Sequence, residues 1–167
     1  MAGARETASV VDADLAGARI LVVEARYYHA VADQLLAGAR RALERAGARV
    51  EVATVDGALE IPAAMAILLD GAIAAGDPYD AAVALGCVIR GETSHYDTVA
   101  GESARALMDL SVERRLPLGN AILTVENEAQ ALARSGELDK GGGAVQAALV
   151  LVALKRRRAR GGEHGQR

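Results

Sequence analysis

The sequence predicts a three-layer α/β/α sandwich built around a four-stranded parallel sheet. Between residues 19 and 158, short apolar runs alternate with longer segments in which apolar residues recur at helical spacing. This alternation is typical of βαβ units, which place helices on both faces of a parallel sheet. With 167 residues, of which 51% are hydrophobic, the chain is long enough for a single domain with its own core.

The four predicted strands are short and differ in how they are recognised. Residues 19–24 form an apolar run typical of a buried strand, whereas Val50 and Val52 alternate along 49–54 and define one apolar face. Prolines at 78 and 117 mark the loop before each of the other two strands. We therefore expect strands at 19–24, 49–54, 79–85 and 118–124.

The helices are predicted from spacing and from their end signals. Val31, Leu35 and Ala39 share one face of the first helix. Gly47 follows that helix as a glycine typical of helix C-termini. Pro62 falls in the first turn of the second helix, where proline is tolerated. The expected helices are 29–46, 60–75, 97–115, 126–135 and 142–158.

The ends of the chain differ in composition from its middle. Residues 1–17 are rich in Ala, Gly and acidic side chains and lack the continuous apolar stretch of a secretory signal. Residues 159–167 are polar. We therefore expect a flexible N-terminal tail at 1–17, a single domain at 18–158 and a polar C-terminal tail at 159–167.

Charge and cysteine content argue against several classes of partner. The net charge of −3 creates no overall attraction for nucleic acid or for an anionic membrane. The longest nearly apolar run, 144–154, is too short to cross a bilayer. Cys87 is the single cysteine, so an intrachain disulfide is excluded and a reducing compartment is favoured. We expect a cytoplasmic protein that binds neither nucleic acid nor membrane.

The apolar composition favours contacts between subunits. The chain has no Phe and no Trp, so its core consists of smaller side chains that each bury little area. In the last helix the apolar residues surround the axis, and such a helix must be covered on more than one side. These residues are Ala144, Val145, Ala147, Ala148, Leu149, Leu151 and Val152. We therefore expect a homo-oligomer.

Residues 85–97 are the most informative segment of the chain. They lead from a predicted strand through a glycine-bounded turn to a predicted helix, and the unpaired N–H groups of such a turn favour an anion. Thr93 adds a hydroxyl and His95 an imidazole, a group that transfers protons near neutral pH. The combination predicts an enzyme that acts on a phosphorylated substrate.

Two other classes of protein are considered for this segment. Residues 86–93 nearly match the G-x-x-x-x-G-K-[ST] pattern of nucleoside triphosphatases, but Glu92 stands where the phosphate-binding lysine is required. We reject that class because a carboxylate would repel a triphosphate. A phospho-acceptor signalling domain requires an aspartate at the end of the third strand, where Gly86 and Cys87 stand instead.

Several candidate residues also have purely structural interpretations. His95 can cap a helix, and Tyr27 can pack instead of stacking on a planar ligand. Cys87 follows an apolar strand and is expected to be a buried structural thiol. Arg134 and Lys140 can be simple surface charges.

Five motifs follow one another along the chain at predicted strand ends or helix breaks. They are Ala-Arg-Tyr at 25–27, Gly-Ala-Leu-Glu-Ile-Pro at 57–62, the segment 86–97, Thr-Val-Glu-Asn from 124 with Gln130 and Arg134, and Asp-Lys-Gly at 139–141. In this order they resemble the lumazine synthase family, and the resemblance extends from about residue 19 to residue 154.

The resemblance implies a flavodoxin-like fold and a transferase of riboflavin biosynthesis. The family condenses 5-amino-6-(D-ribitylamino)uracil with 3,4-dihydroxy-2-butanone 4-phosphate, which yields 6,7-dimethyl-8-ribityllumazine, phosphate and water. Two small-molecule substrates and neither a metal nor an organic cofactor are implied. The resemblance also implies a ring of five subunits with active sites between neighbours, and in some members the pentamers assemble further.

The resemblance further implies a role for each matched residue. His95 corresponds to the proton-transfer residue of the family. Contacts with the pyrimidine are implied for Tyr27, Ala58, Leu59, Glu60 and Asn120 and for the backbone of Cys87, Val88 and Ile89. Contacts with the phosphate, or positions close to it, are implied for Glu92, Thr93, Arg134 and Lys140.

Two positions depart from the family pattern. Asn120 stands where many members carry an aromatic residue, so it can hydrogen-bond the pyrimidine edge but stacks less well. Asp56 replaces the proline that usually precedes Gly57, and its freer backbone loosens the turn. The alternatives are a catalytically weak paralogue that binds flavin or lumazine, and an archaeal-type riboflavin synthase, which joins two lumazines on the same fold.

Overall fold

The computed structural model of the chain describes residues 15–162, which are organised around one parallel sheet. Its strands are β1 (Arg19–Ala25), β2 (Arg49–Val55), β3 (Ala81–Ile89) and β4 (Leu118–Val125). They lie in the order β2-β1-β3-β4, and every neighbouring pair is parallel. The order in which strands are added to the sheet therefore reverses between β1 and β3, as in flavodoxin-like folds. The predicted fold class is confirmed.

Helices cover both faces of the sheet. They are α1 (His29–Arg45), α2 (Ile61–Ala74), α3 (His95–Arg114), α4 (Glu128–Ser135) and α5 (Lys140–Gly162), with a 3₁₀ turn at Ala58–Glu60 before α2. Helices α1, α4 and α5 pack on one face, and α2 and α3 pack on the other. Within residues 15–162, no helix is both long and apolar enough to span a membrane.

The central strands β1 and β3 divide the core into two halves. Ile20 and Val22 of β1 face α1 and α5, whereas Leu21 and Val23 face α2 and α3. Successive side chains of a strand point to opposite faces, and both faces here are covered. This is why the central strands are continuous apolar runs, without the polar alternation of a half-exposed strand.

Two glycines let α5 approach its neighbours backbone to backbone. A Cβ atom on Gly119 of β4 would lie 1.9 Å from the carbonyl oxygen of Ala144 in α5. A Cβ atom on Gly141 of α5 would lie 2.1 Å from the carbonyl oxygen of Leu35 in α1. Neither position can hold a side chain without moving α5, so the small residues of this layer set the distance between helix and sheet.

The third strand is longer than the sequence predicts. Residues 86–89 were expected to start the turn, but Gly86, Cys87, Val88 and Ile89 pair in register with residues 122–125 of β4. Hydrogen bonding to β4 therefore keeps this glycine-containing segment extended. The turn begins only at Arg90, so the expected strand end at residue 85 is wrong.

The folded part of the chain extends past both expected domain boundaries. Leu15 is 1% exposed and lies in the core beneath α1 and α5, although it falls within the predicted tail 1–17. At the other end, α5 continues to Gly162, beyond the expected boundary at 158. The remainder of both predicted tails, at 1–14 and 163–167, lies outside the described residues.

Candidate functional site

A cleft of ≈ 380 Å³ lies at the edge of the sheet where the strands have their carboxyl ends. Its walls come from the loop after β1, the 3₁₀ turn after β2, the end of β3 and the first turns of α3. Ligands of open parallel sheets bind at this edge, next to the point where the strand order reverses. The cleft is therefore the candidate binding site.

Two adjacent tyrosines form one wall of the cleft. The Tyr27 side chain is 73% exposed, whereas Tyr28 is half-buried. Their ring centroids lie 5.0 Å apart with an interplanar angle of 68°. Burial raises the pKa of Tyr28, with smaller contributions from Cys87 and Tyr27, so its phenol stays protonated. Tyr28 thus supports Tyr27 edge-on, and the Tyr27 ring is presented to the cleft.

The 3₁₀ turn after β2 forms a second wall. Ala58 is buried at 5% exposure, and Leu59 is 42% exposed beside it. The Glu60 carboxylate folds back over Gly57, where a Cβ atom would lie 2.8 Å from Glu60 Oε2. This wall therefore combines an apolar surface with one carboxylate that can accept hydrogen bonds.

The floor of the cleft is the end of β3. Cys87 lies there at 8% exposure, with its side chain in the core beneath α1 and α5. Burial raises the pKa of this free thiol to about 11. The thiol is therefore neutral near pH 7, which makes it a structural group and a poor nucleophile. Val88 and Ile89 complete the floor.

The turn between β3 and α3 places a hydroxyl and an imidazole side by side. His95 is the first residue of α3, and its backbone N–H donates to Thr93 Oγ1 at 3.3 Å. Both residues are exposed and line the cleft. Glu92 is exposed in the same turn but is not among the lining residues. The turn can therefore offer a proton-transfer group next to polar groups that suit an anion.

Arg90 holds this turn in place. Its Nε atom donates to Glu126 Oε1 at 3.2 Å, and one terminal nitrogen donates to Asp97 Oδ1 at 3.2 Å. Its guanidinium carbon lies 4.0 Å from the ring centroid of Tyr96. The hydrogen bond to Glu126 is the main cause that raises the pKa of Arg90, and Asp97 adds to it. The turn is thus tied both to α3 and to the loop after β4.

Besides Glu92, three predicted site residues lie outside the cleft of their own chain. Asn120 is exposed on the edge strand β4, and its Oδ1 accepts from the Ile122 N–H at 2.8 Å. Arg134, in the last turn of α4, donates to the Gln130 carbonyl at 3.1 Å. Lys140 is exposed at the first position of α5. Among the described residues that line the cleft there is no Lys or Arg.

Sequence reasoning missed several lining residues. Tyr28, Gly91, Tyr96 and Val99 border the cleft without having been predicted to do so. Tyr28 had a usable signal, because it is one of only four aromatic residues and directly follows Tyr27. Within residues 15–162, no three or more His, Cys, Asp or Glu residues form a group that could hold a metal ion.

The fold and the site define a flavodoxin-like α/β enzyme with a small-molecule cleft that carries a histidine. The family model described as 6,7-dimethyl-8-ribityllumazine synthase matches residues 17–156. The chain belongs to the 6,7-dimethyl-8-ribityllumazine synthase family, and the resemblance seen in its five motifs is confirmed.

Curated relatives agree with this assignment over nearly their full lengths. A 6,7-dimethyl-8-ribityllumazine synthase of Methylobacterium radiotolerans is 72% identical over 147 residues, which cover 87% of each chain. The enzyme of the same name from Azorhizobium caulinodans is 61% identical over 94% of this chain and 98% of its own. A 6,7-dimethyl-8-ribityllumazine synthase 1 of Rhodopseudomonas palustris is 57% identical over 96% and 99%, respectively.

Proposed function

We propose that this chain condenses 5-amino-6-(D-ribitylamino)uracil with 3,4-dihydroxy-2-butanone 4-phosphate to form 6,7-dimethyl-8-ribityllumazine. Phosphate and water are released. The observation that carries the proposal is the meeting of His95, Thr93 and the exposed ring of Tyr27 in one cleft, in a chain that belongs to the synthase family. Among the described residues that line the cleft, His95 carries the only imidazole, the group that most often transfers protons in enzymes.

The cleft offers each substrate groups of matching chemistry. The Tyr27 ring stacks on the planar pyrimidine, while backbone groups at the end of β3 hydrogen-bond its edge. The wall at 58–60 contacts the pyrimidine and its ribityl chain. The phosphate lies at the turn before α3, where the Thr93 hydroxyl and the first N–H groups of the helix donate hydrogen bonds to an anion.

The reaction is a series of proton transfers between two substrates held together. The pyrimidine 5-amino group adds to the ketone, and loss of water gives an imine. Elimination of phosphate and attack of the second nitrogen, with loss of a further water, close the ring. His95 supplies and removes the protons. Holding both substrates in one cleft supplies a large part of the acceleration.

A cation is required for the departing phosphate, and we propose that a second copy of the chain supplies it. A positive group stabilises the charge that develops as phosphate leaves. No Lys or Arg is found among the described lining residues, and α4 and α5, which carry Arg134 and Lys140, pack on the opposite face of the sheet from α3. We propose that these two residues and Asn120 face the cleft of a neighbouring subunit.

The exposed apolar surface of the domain supports the proposal of an oligomer. The number of subunits that we propose, five, comes from the family resemblance. Ile67 of α2 is 71% exposed, and Met108 and Val112 of α3 are 63% and 67% exposed. On the other layer, Leu154 of α5 is 58% exposed. Large apolar side chains in these numbers on two sides of one domain are typical of interaction surfaces.

We further propose a cytoplasmic location, which the unpaired thiol of Cys87 favours.

The experiment mixes the purified protein with both substrates and follows the absorbance and fluorescence of the lumazine product. Lumazine must form faster than in the slow reaction without protein, and inorganic phosphate should compete with the phosphorylated ketone. A protein that binds riboflavin tightly without accelerating the condensation would instead be the flavin-binding paralogue. Riboflavin formation from lumazine alone would indicate a riboflavin synthase.

A further inference from the structure

A buried carboxylate lies near the carboxyl end of β1, three residues before Tyr27 of the cleft wall. Glu24 is 4% exposed, although it ends a run of apolar residues in β1. Its Oε1 accepts from Thr54 Oγ1 of β2 at 3.0 Å, and its Oε2 accepts from an Arg26 terminal nitrogen at 3.1 Å. A buried carboxylate is costly unless it has such partners, so Glu24 strongly favours a conformation that keeps Arg26 close.

Arg26 connects this carboxylate to three elements at once. One terminal nitrogen contacts Glu24 of β1, and the other donates to Asp33 Oδ1 of α1. The backbone N–H of Arg26 donates to the Val55 carbonyl of β2 at 3.3 Å. The hydrogen bond to Asp33, followed by the charges of Glu24 and Asp33, raises the pKa of Arg26, so its charge is permanent.

The next residue in the chain is Tyr27, whose ring is supported by one edge contact with Tyr28 and is otherwise largely exposed. Its side chain is 73% exposed and meets Tyr28 only edge-on. The orientation of the ring therefore depends on the backbone of the loop between β1 and α1. Arg26, which does not line the cleft, ties that loop to β1, β2 and α1, and Glu24 is its buried partner.

We propose that Glu24 is a positioning residue that acts through Arg26 to fix the Tyr27 ring for the pyrimidine. The inference rests on the proposed function, since that function assigns the pyrimidine to Tyr27. Glu24 itself touches no substrate, because it is buried and does not line the cleft. Its effect is therefore confined to the substrate that stacks on the ring.

The first test compares steady-state constants of the Glu24→Gln variant with those of the wild type. The amide keeps the size of the side chain and can still accept from Thr54, but the charge that holds Arg26 is gone. We expect the KM for the pyrimidine and the Kd for riboflavin to rise roughly three- to tenfold, which is less than the loss of a direct charge-assisted hydrogen bond because Glu24 acts through Arg26. The kcat and the KM for the phosphorylated ketone should stay within about twofold.

Two further variants separate positioning from general destabilisation. Glu51→Gln removes a carboxylate 3.0 Å from an arginine, Arg19, at the far end of the sheet, and should leave all constants at wild-type values. Asp33→Asn removes the exposed partner of Arg26 and should weaken pyrimidine binding in the same direction as Glu24→Gln. This second variant lies on the surface, so it tests the network even if Glu24→Gln folds poorly.

A double-mutant cycle and an exchange measurement complete the test. In a Tyr27→Ala background, Glu24→Gln should cause no further loss of pyrimidine affinity. Amide hydrogen exchange at residues 26–28 should be faster in Glu24→Gln than in Glu51→Gln, whether or not the condensation is observed. Equal loss for both substrates, additive loss in the Tyr27→Ala background, or unchanged exchange would overturn the proposal. Absence of condensation by the wild type would instead refute the proposed function.

Discussion

His95 and Tyr27 enter the cleft from a helix start and from a loop, respectively, and are held in different ways. His95 is the first residue of α3, where the helix backbone and the hydrogen bond to Thr93 determine its place. Tyr27 stands on a loop and depends on side chains behind it. At the residue scale, the proposed proton-transfer group is therefore positioned by secondary structure, and the proposed stacking group stands beside the charge network that we propose positions it.

Substitution of His95 by Asn should remove proton transfer while leaving the helix start intact. Loss of an acid–base group costs on the order of 10² to 10⁴ in turnover. The rate must be measured above the reaction without protein, and riboflavin affinity and thermal stability should remain near wild type. Wild-type turnover in this variant would contradict the role of His95.

Alkylation of Cys87 tests how well β3 is buried. Burial raises the pKa of the thiol from its ordinary value of 9.0 to about 11. The reactive thiolate therefore forms in the native protein only as the pH approaches 11, and iodoacetamide labelling should keep rising between pH 9 and pH 11. The neutral thiol also contributes stability that is present below pH 9 and lost as the pH rises through 11. Rapid labelling at pH 7.5 without denaturant would contradict this burial.

Residue types in short motifs predicted much of the candidate site, but not its supports. Tyr27, Thr93 and His95 could be selected because hydroxyl, imidazole and aromatic groups have recognisable chemistry at strand ends. The partners of Arg26 and Arg90 could not be selected, since an arginine in a loop can pair with any nearby carboxylate. Which carboxylate is near depends on the packing of other elements.

At the element scale, α5 is the helix whose position is most closely set by its neighbours. It meets β4 at Gly119 and α1 through Gly141, in both places with direct backbone contact. The first residue of this helix is Lys140, which the proposed function assigns to the phosphate. A change in the depth of α5 would therefore move a proposed functional group as well as the core.

Substitution of Gly119 by Ala should destabilise the fold. The new methyl group would lie 1.9 Å from the Ala144 carbonyl oxygen, so α5 must move away from the sheet. Overpacking of this kind costs about 1–3 kcal/mol or more. Urea unfolding at matched protein concentration measures the loss.

Gly71→Ala is the matched control for this substitution. Gly71 lies in α2 with no atom within 4 Å of the position of a Cβ atom, so its replacement should leave stability unchanged or raise it by up to about 1 kcal/mol. Equal stability of the Gly119 and Gly71 variants would show that the contact between α5 and β4 is looser than described.

The order and type of the elements were predictable, but one strand end was not. Apolar runs and helical spacing identified the four strands and five helices, and the parallel sheet followed from their alternation. The end of β3 was misplaced because glycine is uncommon within strands. Pairing of Gly86 with Ile122 of β4 overrides that preference, and this pairing is a tertiary contact that local sequence does not show.

At the scale of the whole molecule, the groups proposed for one reaction lie on two sides of the domain. The turn with Thr93 and His95 belongs to the α3 side, whereas Arg134 and Lys140 belong to the layer of α4 and α5. From the sequence, a site shared between subunits could be expected only through the family resemblance, because motif order by itself says nothing about which copy supplies each group.

Complementation between two impaired variants, assayed at a ketone concentration well below the raised KM, tests the shared site. Arg134→Ala alone should raise the KM for the phosphorylated ketone roughly ten- to a hundredfold. When it is co-expressed with His95→Asn, roughly a quarter of the sites in mixed oligomers should carry both wild-type side chains and regain activity. Light scattering measures the size of the same oligomers.

The control for complementation pairs two substitutions on the same turn. Thr93 and His95 come from one chain, so co-expression of Thr93→Ala with His95→Asn should restore nothing. Recovery in this control, lack of recovery in the first pair, or an active monomer would contradict a site shared between subunits.

The distribution of aromatic residues gives the protein a built-in optical reporter. The chain contains four tyrosines and no tryptophan, and Tyr27, Tyr28 and Tyr96 border the cleft. Tyr79 is the remaining one, and it lies under Arg19, which begins β1 at the amino end of the sheet. Most ultraviolet emission of the unlabelled protein therefore originates at the binding site. A bound chromophore that absorbs near 300 nm should quench it by energy transfer, so occupancy of the cleft can be titrated without a probe.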